Sequence, residues 1–198
     1  MLSQLINLID MIITPTTIQG ILLIEPQAYQ DQRGFFLETY QEERYKELGI
    51  TDQFVQDNQS RSAKGVLRGL HFQIQRPQAQ LLTVMRGRVF DVGVDLRPDS
   101  PTFGKYFGAE LSDIGPRQLY MAPGIAHGFY VLSDWADLHY KVSRKYDASD
   151  EGGLLWDDPD IAIKWPLSYA PEITGRDASY PALRDISRNQ LPHNPPLD

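Results

Sequence analysis

The sequence predicts an all-β fold of jelly-roll type: a β-sandwich or barrel with a few short helices and a C-terminal extension packed on it. Three observations predict it. Gly and Pro recur about every ten residues, at Gly65, Gly69, Gly87, Pro98, Gly104, Gly115, Pro123 and Gly128. That rhythm suits short antiparallel strands and not alternating strand–helix units. Residues 88–96, RVFDVGVDL, put Phe90, Val92, Val94 and Leu96 on one parity and Asp91, Gly93 and Asp95 on the other, which is the period of a half-buried strand. Residues 117–133, RQLYMAPGIAHGFYVLS, read as strand, Pro-Gly turn, strand.

The other elements follow in chain order. Residues 1–10, MLSQLINLID, read as a loose N-terminal extension; they lack a basic start and a small-residue cleavage site, so they do not read as a secretory signal. One helix is expected near 41–49, QEERYKELG, stopped by Gly49. From about residue 166 the chain is rich in Pro, Asp and Arg, and 185–198 is expected to be mobile. No repeat or low-complexity linker divides the 198 residues, so one domain spanning 1–198 is expected.

Composition excludes several functions. With no cysteine there is no disulfide framework, thiolate metal site or cysteine nucleophile, which suits a cytoplasmic protein. A net charge of -7 argues against a nucleic-acid partner, which needs basic surface to displace counterions. No apolar run approaches the roughly 18 residues that cross a bilayer, so no membrane partner is expected. A G-x-S-x-G elbow, a glycine-rich dinucleotide turn and a P-loop are all missing. What remains is acid–base chemistry from His, Tyr, Asp and Glu.

Among the histidines, His139 lies on the parity opposite Leu138, Tyr140 and Val142, so Tyr140 is expected to point inward and His139 outward. His193 lies in the tail and is set aside. His71, in GVLRGLHFQ, has Arg68 three residues before it. Strict alternation would separate the two, but a bulge at Gly69 would turn both the same way. An Arg beside a His suits an anionic substrate, because guanidinium grips phosphate through paired hydrogen bonds. A metal is not expected, since there is no His-x-His pair and no acidic partner for His71 in its own strand.

Six segments in order, DQRGFFLETY, FVQDNQS, GVLRGLHFQ, RGRVFDVGVDLRPDSPTFG, RQLYMAPGIAHGFYVLS and WDDPDIAIKWP, resemble the dTDP-4-dehydrorhamnose 3,5-epimerases, cupin-type enzymes of deoxysugar biosynthesis. The resemblance runs from about Thr17 to Asp177. It implies a jelly-roll homodimer without cofactor or metal. It also implies conversion of dTDP-4-dehydro-6-deoxy-D-glucose to dTDP-4-dehydro-L-rhamnose in dTDP-L-rhamnose biosynthesis. The matching positions make His71 the base, Tyr140 the acid and Asp177 the carboxylate paired with the base. They assign substrate binding to Arg33, Glu38, Gln56, Asn58, Arg68, His127, Glu151 and Arg176, with Tyr146 stacking on the thymine ring. One position departs. Where the family carries a lysine aimed at the enolate oxygen, this chain reads PQAQLL, with Gln80 in the lysine's place. Arg68 or Arg86 is a candidate to supply the missing charge. Three outcomes stay open: a 3,5-epimerase, a relative that inverts a single carbon of a related 4-keto sugar nucleotide, and a non-catalytic sugar-nucleotide-binding module.

Overall fold

The computed structural model describes residues 11–192. The expected N-terminal extension and His193 lie outside that range. Numbered in chain order, the strands form two antiparallel sheets and one separate hairpin. The larger sheet runs β1 (Ile12–Pro15), β2 (Ile21–Glu25), β10 (Gln118–Met121), β7 (Gln80–Arg86), β12 (Trp135–Val142), β5 (Gln56–Ala63). The smaller runs β13 (Glu151–Gly153), β6 (Leu67–Gln73), β11 (Ile125–Val131), β8 (Arg88–Asp95), β9 (Tyr106–Ser112). The hairpin is β3 (Ala28–Asp31) with β4 (Gly34–Leu37). This is the expected β-sandwich.

The Pro-Gly turn does more than reverse the chain. It carries β10 in one sheet into β11 in the other, a sheet-to-sheet crossing that gives sandwiches their connectivity. The helix α1 (Glu42–Glu47) forms where expected. The Gln41 side chain accepts from the Arg44 amide at 2.6 Å, Glu42 and Glu43 sit at its positive end, and Gly49 follows its C-cap.

Three apolar clusters hold the layers. Leu82, Val84, Val89, Leu119, Ile125, Phe129, Val131 and Leu138 pack between the sheets. Tyr45, Ile50, Leu81 and Tyr120 join α1 to the larger sheet. Leu70, Phe72, Val92, Val94, Leu96 and Ala126 pack against Ile161, Trp165, Leu183, Ile186 and Leu191 of the C-terminal extension. Each fully buried Leu or Ile contributes about 1.5–3 kcal/mol, so the extension's layer is a sizeable share of the core.

That third layer bears on two expectations. Within the stretch expected to be mobile from 185, residues 185–190 take part in two 3-10 turns, and Leu191 is buried beneath the smaller sheet; 193–198 lie outside the described residues. And β8 is covered on both faces. Its apolar parity, Val92, Val94 and Leu96, meets the extension, while Val89 and the parity holding Asp91 and Asp95 face the sandwich interior. Both aspartates are fully buried. Alternation separated the two faces correctly, but nothing local revealed that later chain would cover the outer one.

Candidate active site

A cleft of about 320 Å³ opens between the sheets. One wall comes from β5, β7 and β12 and carries Gln56, Asn58, Gln80 and Tyr140; the other comes from β6, β11 and β13 and carries Arg68, His71, His127 and Glu151. Tyr146, in the loop after β12, and Arg176, in the helix α2 (Gly175–Ala178), close one side. Ten of the thirteen residues expected from the sequence therefore line a single cleft.

The expected bulge at Gly69 is present. His71 pairs with His127 and Arg68 with Phe129, so three residues of β6 span two of β11 and both side chains turn inward. Only glycine fits here: φ is +117°, and a Cβ would come 2.6 Å from Gly128 Cα and 2.7 Å from the His127 carbonyl oxygen.

Asp177 sits behind His71, its Oδ1 3.1 Å from Nε2. The ring is turned off the line that a full hydrogen bond needs, and among the described residues Nε2 has no hydrogen-bond partner. Burial alone would raise the Asp177 carboxyl, but His71, the Gly69 amide donating at 3.1 Å and Thr174 hold it well below the usual carboxylate range. His71 is thus backed by a fixed negative charge. Across the cleft, Tyr140 points inward with Leu138 as expected, packing on the central cluster. Burial, opposed by Arg68 and assisted by Glu151, pushes its phenol upward, so it stays protonated at neutral pH.

The open end of the cleft is a polar cluster. Glu151 accepts from Arg176 at 2.6 Å and from the Tyr146 hydroxyl at 2.9 Å. Gln56 accepts from the Tyr146 amide at 3.2 Å and donates to Asn58 at 2.8 Å. The Arg68 guanidinium donates to Ser62 at 3.0 Å, and among the described residues no carboxylate pairs with it. This leaves its charge available to an anion.

Arg33 and Glu38 stand apart within one chain. Arg33 caps the β3–β4 hairpin, is 84% exposed and pairs with Asp31; Glu38 pairs with Arg44 at 2.8 Å. Arg86 is also displaced, lying at the other end of β7 beside Arg61 and Trp135. Six residues of strand put it about 20 Å from Gln80, too far to stand in for the absent lysine.

Three residues escaped the sequence reading. Asp91 places both carboxylate oxygens 3.1 and 3.2 Å from His127 Nε2, a second His–Asp pair whose carboxylate lies in the core. Its inward aim was hidden by the apolar parity beside it. Ser60 lines the cleft with a buried hydroxyl that has no hydrogen-bond partner among the described residues. Tyr180 meets the His71 ring edge-on from a Pro-rich stretch that carries no pattern.

Residues 15–185 match the family model described as dTDP-4-dehydrorhamnose 3,5-epimerase. The enzyme of that name from Salmonella typhimurium is 47% identical over 87% of this chain and 96% of its own length. A dTDP-4-dehydrorhamnose 3-epimerase of Streptomyces niveus is 43% identical over 82% of this chain and 79% of its own. Among solved structures, a dTDP-6-deoxy-D-glucose-3,5-epimerase from Legionella pneumophila, in complex with dTDP-4-keto-L-rhamnose, superposes with a TM-score of 0.90 at 48% identity, covering 93% of this chain and 99% of that one. With the sequence match, the sandwich and the cleft in agreement, the chain belongs to the dTDP-4-dehydrorhamnose 3,5-epimerase family.

Proposed function

We propose that this chain inverts C3 and C5 of dTDP-4-dehydro-6-deoxy-D-glucose to give dTDP-4-dehydro-L-rhamnose, a cytoplasmic step of dTDP-L-rhamnose biosynthesis. One observation carries the reading: an imidazole backed by a buried carboxylate and a protonated phenol stand on opposite sheets facing one cleft. The C4 ketone acidifies the hydrogens at both C3 and C5. His71 takes one of them; the C–H electron pair forms a double bond to C4 while the C4=O π pair moves onto the oxygen, giving an enolate. Tyr140 returns a proton to the opposite face of the same carbon, which inverts it, and solvent resets both groups. Asp177 stabilises the imidazolium formed in the first half. Each partner of such acid–base catalysis contributes about 10²–10⁴-fold.

Arg68 and the Arg176–Glu151–Tyr146 cluster suit the diphosphate and the base, so binding energy remote from the sugar holds it in register. The residues left outside the cleft support a homodimer. The β3–β4 hairpin that presents Arg33 also exposes Tyr29, Phe35 and Phe36. A second copy covering those rings would bring Arg33 and Glu38 to the neighbouring cleft.

Inversion of one carbon is a second reading, favoured by Gln80. A neutral amide stabilises each enolate less strongly than an ammonium, so the slower of the two inversions falls behind product release.

The test is NMR of dTDP-4-keto-6-deoxyglucose with the protein in D₂O. Deuterium at C3 and C5 with the L-rhamno product is expected, and the His71→Asn variant is expected to exchange at neither carbon. Label at one carbon alone selects the second reading. Label at neither with the native chain, or full exchange by the variant, overturns the assignment.

A further inference from the structure

His71 is not fully oriented by Asp177, because its Nε2 sits at ion-pair distance but off the hydrogen-bond line. Something else must fix the rotation of the ring. A directional contact is made by Tyr180, whose ring lies 5.8 Å from the imidazole, centroid to centroid, at 78°. An edge-to-face pair of this kind is directional, unlike simple apolar contact.

Tyr180 is itself anchored. Its hydroxyl lies 3.3 Å from Glu151 Oε1, the oxygen that also accepts from Arg176. Burial, followed by the Glu151 carboxylate, pushes the phenol up to about 12, so it remains a donor throughout the neutral range. A place is kept for its ring. Gly153 stands opposite His71 in the β13–β6 pairing, and a Cβ there would come within 2.3 Å of the Tyr180 ring carbons. A side chain at Gly153 and the ring of Tyr180 cannot coexist in this geometry.

We propose that Tyr180 is a positioning residue for the base, setting the rotation of the His71 imidazole from an anchor on Glu151. This rests on the assignment of His71 above and deepens it. Because Glu151 also holds Tyr146 and Arg176, Tyr180 ties the nucleotide end of the cleft to the proton-transfer end. Tyr180 does not line the cleft itself, so its effect belongs in the chemical step and not in substrate affinity.

Three variants test it, with steady-state kinetics, the pH profile of kcat/KM and His71 imidazole NMR as readouts. Tyr180→Leu keeps a sizeable apolar side chain and removes the aromatic edge. It is expected to lower kcat by about 10- to 100-fold, the scale of a small misplacement of a reacting group, with KM within about twofold. The His71 ring resonances and the acidic limb of the profile are expected to move. Tyr180→Phe keeps the ring and loses only the Glu151 contact, so it is expected to recover part of the loss, the remainder measuring the anchor. Gly153→Ala, which displaces the ring from the other side, is expected to resemble Tyr180→Leu. A folded Tyr180→Leu with native kcat and unmoved His71 resonances overturns the proposal, as does a rise in KM alone. His71→Asn separates the two levels: if it still exchanges substrate hydrogens, the base assignment falls, whereas an inert His71→Asn beside a native-like Tyr180→Leu sinks only the role of Tyr180.

Discussion

Gln80 stands where the resemblance leads one to expect a lysine, and its environment sharpens what that difference means. The candidate replacements for the missing charge are now unequal. Arg86 is at the far end of its strand, while Arg68 lines the same cleft with no carboxylate to neutralise it. Losing one well-placed donor to a developing oxyanion costs roughly 3–4 kcal/mol, and Arg68 offsets part of that if it can serve both the diphosphate and the enolate. Gln80→Lys is therefore expected to hold or raise turnover, by up to about tenfold, and to increase the fraction of product labelled at both carbons in D₂O. A sharp fall in turnover would mean the cleft has been rebuilt around the amide. The residues of the first reading were legible because His71, Tyr140 and Asp177 sit in local motifs. Asp91 was not, since a carboxylate inside an apolar strand looks like the solvent side of that strand until its histidine partner is placed three dimensions away.

Among the elements, the bulge of β6 decides whether Arg68 and His71 can act on one substrate. Without the extra residue, their side chains would leave the strand on opposite faces. Gly69→Ala puts a Cβ against Gly128 and the His127 carbonyl and strains a left-handed backbone, a cost of order 1–3 kcal/mol. The expected result is a lower melting temperature together with a loss of kcat/KM larger than the stability change explains, because the strand relieves the clash by re-aiming one of the two groups. Native activity after Gly69→Ala would show that the bulge is not needed for the site. This feature could be read from sequence, since a glycine lay between two residues that chemistry wanted on one face. The turn after β10 and the end of α1 were readable for similar reasons, being local. The inward parity of β8 was not, because which face of a strand is buried depends on chain that arrives seventy residues later.

At the scale of the whole molecule, the hairpin stands apart from the cleft of its own chain. Arg33 is exposed in one chain, yet the family pattern gives it to the substrate. Both hold if each copy lends its hairpin to the other. Arg33→Ala is then expected to raise KM by about 10- to 100-fold, as for a lost hydrogen bond to a charged group. Mixing Arg33→Ala chains with inactive His71→Asn chains under conditions that exchange subunits is expected to restore activity, because a hybrid dimer contains one cleft with both residues intact. Absence of any recovery, with exchange verified by mass, would show that Arg33 does not serve a neighbour. The sandwich itself was visible in the spacing of Gly and Pro, but the third layer was not. A Pro-rich tail looks idle when it carries no periodicity, and its apolar residues, Ile186 and Leu191 among them, are too scattered to announce a face.

That tail carries a further consequence for how the protein comes into being. The sheets supply His71 and Tyr140, but Asp177, Arg176 and Tyr180 arrive only with the C-terminal extension. During synthesis the sandwich can close around its own core while these three are still inside the ribosome. A nascent chain at that stage has His71 without the Asp177 carboxylate behind it and a cleft open on one side. On the proposed roles, the C-terminal extension is the latch that completes the cleft.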